Sequence, residues 1–110
     1  MYDMKNLARL SELERGAPAA MAAFEAFSDA AFADGALPRK TKELVAVAVA
    51  LTTQCPYCLE IHAKEARKFG ANDAELSEAA LVSALIRAGG TVTHAAHVFR
   101  TAASGAQAAK

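Results

Sequence analysis

Apolar residues recur along this chain at helical spacing, in segments punctuated by glycine and proline. Met4, Leu7, Leu10 and Leu13 stand three apart, with Lys5, Arg9 and Glu12 between them and Glu14 directly after. That pattern predicts an amphipathic helix over 3–15, closed by Gly16. Pro18 suits the first turn of a second helix running to about Ala33, with Met21, Phe24, Phe27, Ala31 and Phe32 on its apolar side, and Asp34 and Gly35 break it. A third segment, Arg39 to Thr53, follows Pro38, and a fourth runs from Cys55 and Pro56 to Phe69, where Gly70 stops it. The fifth is expected to start with Asp73 as N-cap and to bury Leu76, Ala80, Leu81, Ala84, Leu85 and Ala88 before Gly89 and Gly90 end it. A last helix, about Thr91 to Ala103, carries His94, His97, Val98 and Phe99, and the tail from Ser104 is expected to fray.

The third segment is ambiguous by periodicity alone, because the run Leu44 to Leu51 alternates valine with alanine and also fits a buried strand. Alanine is a poor strand former, and no second strand-like run exists to pair with it. A helix apolar all round belongs at the centre of a bundle. The expectation is therefore an all-α fold, one domain over 1–110 with about six helices.

Composition narrows the partners. The 110 residues carry no formal net charge, so nothing predicts a nucleic-acid or anionic-membrane partner. Arg39, Lys40 and Lys42 read as the solvated start of the third helix. No apolar run approaches the roughly 20 residues that span a bilayer, and residues 1–5 have no secretory pattern. A mean hydropathy of +0.14 in so small a chain predicts apolar helix surface covered by other subunits, hence a homo-oligomer.

The chemistry concentrates in Cys55-Pro56-Tyr57-Cys58-Leu59-Glu60-Ile61-His62, which holds both cysteines of the chain. On a helix, Cys55, Cys58 and His62 fall on one stripe. An ordinary cysteine, with a pKa of about 8.5, is about 3% thiolate at neutral pH, and a shift to about 6 would make it about 90% thiolate. The helix N-terminus beside Cys55 and His62 one turn after Cys58 are the features able to supply such a shift. A thiol pair without export features also predicts a cytoplasmic catalytic or metal site rather than a disulfide scaffold.

The same tetrapeptide occurs in glutaredoxins, but that fold needs a strand before the pair and a later cis-proline, and no proline follows Pro56. Glu43 joins the pair and the histidine in the pattern E-x11-C-x2-C-x3-H. This pattern, with the helices around it over about 38–99, resembles the alkylhydroperoxidase D-like branch of the carboxymuconolactone decarboxylase superfamily. The resemblance implies thiol-based reduction of a hydroperoxide, no cofactor, and assembly into trimers or hexamers. It assigns Cys58 as the peroxidatic and Cys55 as the resolving cysteine, with Glu43 and His62 as a proton relay and an external, lipoyl-type dithiol as reductant. The best-known members carry a histidine directly before the second cysteine; here that residue is Tyr57, a weak base whose hydroxyl can still donate a hydrogen bond.

Three other readings compete. Decarboxylase members of the superfamily generally lack the cysteine pair, which argues against that activity here. A zinc module would use Cys55, Cys58 and His62 with His94 or His97 as a fourth ligand, but the first three spread over about 10 Å of one helix stripe, hard to close around one ion with bonds of about 2 Å. A passive redox-sensing oligomer is the third. His94 and His97 stay outside the expected site.

Overall fold

The computed structural model describes residues 2–99. Asp3 accepts from the Lys5 N–H and starts a 3₁₀ helix over Met4–Arg9, which passes into α1, Leu10–Gly16. The expected single α-helix is thus split, and the three-residue apolar spacing explains why: residues three apart eclipse on a 3₁₀ helix. The α2 helix covers Pro18–Phe32 and α3 covers Arg39–Thr53. The run Leu44 to Leu51 is helical, as expected, and there is no strand among the described residues.

Asp34 accepts from the Arg39 N–H at 2.7 Å and so satisfies a donor at the start of α3, which has no cap of its own. Gln54, left-handed at φ 56°, ends α3, and the Cys55 N–H returns to the Ala50 carbonyl at 3.1 Å. Two residues after α3 ends, α4 begins and covers Pro56–Lys68. The result is a tight αα-hairpin whose turn delivers Cys55 to the head of α4.

The α5 helix, Asp73–His94, departs from expectation at both ends. Its N-cap is Asn72, not Asp73, in a capping box with Glu75. Gly89 and Gly90 do not end it, since neither has the positive φ of a glycine stop; Gly70, at φ 99°, does. A turn at Ala95 separates α5 from a helical stretch over 96–99, and the rest of the expected last helix and the tail from Ser104 lie outside the described residues.

α3 packs along both α4 and α5 and touches α2. Its centre holds Glu43, Val47 and Ala50. α5 meets α3 through Ser83, whose hydroxyl donates to the Ala48 carbonyl at 2.8 Å, and through Arg87, which donates to the Thr52 carbonyl. That is not the predicted leucine stripe: Leu81 and Leu85 are 68% and 67% exposed. A small hydroxyl with its own acceptor lets the two backbones approach, whereas the leucines project on the other side. Phe24 and Phe27 of α2 are likewise 61% and 70% exposed. The radius of gyration of 19.9 Å exceeds the roughly 13 Å of a compact chain of this size. No helix among the described residues is long and apolar enough to cross a membrane.

The two kinds of glycine give opposite expectations for alanine. Gly70→Ala forces a Cβ into a left-handed backbone and should cost about 1–2 kcal/mol. Gly90→Ala meets nothing within 4 Å and should stabilise the helix by up to about 1 kcal/mol. Denaturant unfolding of the two variants measures both signs.

Candidate active site

Glu43 is the largest fully buried side chain among the described residues. It sits one turn into α3, and an unmatched charge there would cost several kcal/mol. Both carboxylate oxygens are matched. Oε1 accepts from Arg39 Nε at 2.9 Å, and Oε2 lies 2.7 Å from His62 Nδ1 on α4. An ionised carboxylate can only accept, so the shared proton is on His62 Nδ1, and in the neutral imidazole Nε2 then keeps its lone pair. No buried side-chain polar atom among the described residues lacks a partner.

Aromatic rings fix this array from both sides. Phe32 of α2 stacks on the His62 ring at 5.0 Å between centroids and 14° between planes. The Arg39 guanidinium lies 5.2 Å from the Phe32 ring centre and 4.6 Å from that of Phe69, and Nη2 approaches Glu65 Oε2 at 3.8 Å. Arg39 was expected to be a solvated helix start, and that reading is corrected: it is the counter-charge of the buried carboxylate. Its spacing to Glu43, i to i+4, was the signal available in the sequence. Lys40 is also paired, with Glu75 at 2.7 Å.

The cysteines occupy unequal positions. Cys55 is the N-cap of α4, and its sulfur accepts from the Cys58 N–H at 3.3 Å. The S–H of Cys58, then that N–H, hold the Cys55 thiol below the ordinary cysteine range. Cys58 is pushed up, first because its thiol is the donor in this S–H···S pair, then by desolvation and by the Cys55 charge. Of the two thiols, Cys55 is therefore the one that ionises more readily.

Cys58 and His62 open on one cavity of about 720 Å³ between α2, α3 and α4, whereas Cys55 faces a separate recess with Pro56 and Leu59. The hydroxyl of Tyr57 accepts from Asn6 Nδ2 at 3.0 Å, and Tyr2 meets its ring edge-on at 5.0 Å. Tyr2 also donates to Glu60 at 2.6 Å. Tyr57 thus holds the N-terminal segment against α4. Among the described residues no group of three or more histidines, cysteines and carboxylates is placed to hold a metal. His94 and His97 meet each other, 5.7 Å between ring centroids, near the end of α5.

The family model for the carboxymuconolactone decarboxylase family matches residues 18–101, a span that contains Glu43, Cys55, Cys58 and His62. The chain belongs to the carboxymuconolactone decarboxylase family. A Paracoccus denitrificans protein named "Uncharacterized protein 4 in cox locus" is 48% identical over 91 residues, 83% of this chain and 82% of that protein. Among solved structures, a carboxymuconolactone decarboxylase family protein from Legionella pneumophila, crystallised in its apo form, superposes with a TM-score of 0.72. It is 34% identical over 84% of this chain and 82% of its own. A Methanobacterium thermoautotrophicum protein gives a TM-score of 0.74 and 36% identity over 79% of this chain and 98% of its own.

The inequality of the thiols can be read directly. In Cys58→Ala, Cys55 loses its S–H donor and its titration should move up towards that of free cysteine. In Cys55→Ala, Cys58 loses the neighbour that raises it and should move down. Ultraviolet thiolate absorbance against pH follows both, and coincident curves for the two variants would mean that the S–H···S contact does not govern either thiol.

Proposed function

We propose that this member of the family is a thiol peroxidase of the alkylhydroperoxidase D-like type. The observation that carries the reading is that Cys58 and His62 open on the same cavity while the buried Glu43 holds His62 with Nε2 as its basic atom. In this mechanism Nε2 takes the proton of Cys58 as its thiolate attacks the distal oxygen of a hydroperoxide. The S–O bond forms, the O–O bond breaks, and the leaving alkoxide takes the proton back, giving an alcohol and a sulfenic acid on Cys58. Cys55 then attacks that sulfur, forms the disulfide and releases water. Its lowered pKa favours the thiolate that this attack needs.

Reduction needs an external dithiol, for which a lipoyl-type compound is the proposed class. Attack on Cys58 expels Cys55, the better leaving group because its anion is the more stable of the two. The dithiol leaves as its own disulfide and both cysteines return as thiols. Over a turnover one hydroperoxide and one dithiol become one alcohol, one water and one disulfide. Such a cycle suits a reducing, cytoplasmic compartment.

The protein is further proposed to work as a homo-oligomer, a trimer or hexamer, with a second copy covering the outer side of α5. Leu81, Leu85, Ile86 and Val92 are 67–73% exposed there. A soluble monomer rarely leaves so large an apolar patch uncovered.

Fully reduced protein mixed with one equivalent of an organic hydroperoxide should lose both thiols far faster than free cysteine and gain an internal disulfide by intact mass. Cys58→Ser should abolish sulfenic acid formation, whereas Cys55→Ser should let it persist. Glu43→Gln, which removes the acceptor charge that orients His62, should slow thiol loss by about 10²–10⁴-fold if the relay acts as a general base. Thiol loss at the free-cysteine rate in the wild type would defeat the peroxidase reading and leave disulfide exchange as the use of the pair. Sedimentation should show an assembly in the wild type that Leu85→Glu shifts towards monomer.

A further inference from the structure

We propose that the cavity beside Cys58 takes an amphiphilic organic hydroperoxide, one with an apolar chain and a carboxylate end that binds Lys42. The inference rests on the peroxidase reading of this site and adds the class of its substrate. One wall is a stripe of α3: Lys42, Val45, Ala46, Val49, Ala50 and Thr53. These positions recur at three- and four-residue steps and span about 16 Å of helix. Phe27 and Phe32 of α2 face them. Hydrogen peroxide has no use for such walls, whereas each methylene removed from water there favours binding of an apolar chain.

Charge selects one end of this groove. Lys42 donates to the Ala33 carbonyl at the end of α2. Among the described residues it has no carboxylate within ion-pair distance, although Arg39 and Lys40 on the same turn are both paired. An ammonium has three donors, so two remain for an anion at the mouth of an otherwise apolar cavity. The other ionisable groups on the cavity are Cys58 and His62. Among the described residues no acidic side chain lines it to repel a carboxylate.

The register of the hairpin sets the distance. Glu43 and His62 are level across α3 and α4, so Cys58, one turn earlier on the antiparallel α4, is level with about Val47. That is roughly 8 Å along the axis from Lys42, with a similar length of groove beyond it towards Thr53. A carboxylate at Lys42 therefore puts the middle of an acyl chain, not its tip, beside the Cys58 sulfur. A mid-chain fatty-acid hydroperoxide has this layout.

The test compares a mid-chain fatty-acid hydroperoxide with its methyl ester, with dithiothreitol as reductant, in the wild type, Lys42→Met and Lys42→Arg. The expected kcat/KM ratio of acid to ester is about tenfold in the wild type, near one in Lys42→Met and restored in Lys42→Arg. A ratio of one in the wild type overturns the proposal. A second arm needs no turnover: decanoate should protect Cys58 from iodoacetamide in the reduced protein, followed by peptide mass, and the Lys42→Met variant should lose that protection. Protection without turnover of any hydroperoxide would sink the peroxidase reading while leaving the amphiphile site standing. Protection that needs no decanoate and grows with protein concentration would show a second copy filling the groove, and so would overturn the proposal.

Discussion

A carboxylate with no access to water sets the terms for the rest of this structure. Glu43 can be buried only because Arg39, one turn earlier, and His62, on the next helix, each satisfy one of its oxygens. The contact to His62 fixes the register of the α3–α4 hairpin, and that register fixes where Cys58 stands relative to the groove in α3. The same contact decides which nitrogen of His62 carries its proton. Folding and chemistry therefore share one hydrogen-bonded array, and the Phe32 and Phe69 rings around Arg39 and His62 keep water from competing for it.

The thiols are made unequal by simple means. A two-residue turn places Cys55 at the N-cap of α4, where its sulfur meets a backbone donor and the Cys58 thiol together. Cys58, inside the first turn, faces the cavity instead. In the proposed cycle one sulfur holds charge and the other meets the reactant. In the proposed cycle this division has two uses, since a stable Cys55 anion both closes the disulfide and leaves readily when it is reopened.

Outside the hairpin, α2 is held lightly and α5 packs on α3 by its small-residue side, and both leave apolar surface exposed. α2 touches α3 lightly, and this leaves room for the cavity between them. α5 is held to α3 through Ser83 and Arg87, so its leucines face outward. An apolar face left uncovered among the described residues is the physical basis for the proposed assembly.

Much of this was legible in the sequence because helix formation is local. Proline and glycine positions and apolar spacing determined an all-α fold, and the alanines within Leu44 to Leu51 favour helix over strand there. The spacing of Glu43, Cys55, Cys58 and His62 marked the candidate site, because helix geometry turns sequence intervals into positions on a face. What the sequence alone left open depends on partners distant in the chain. Arg39 looked like a solvated cation until the fold buried its i+4 neighbour, and Lys42 gained its place only when α2 closed one side of a cavity. Gly89 and Gly90 resembled a stop, but a glycine stops a helix only when the backbone turns left-handed, and here it does not. Which face of α5 is buried turned on a serine close enough to an α3 carbonyl. Periodicity shows that a helix has an apolar face, whereas only the packed structure decides what that face meets.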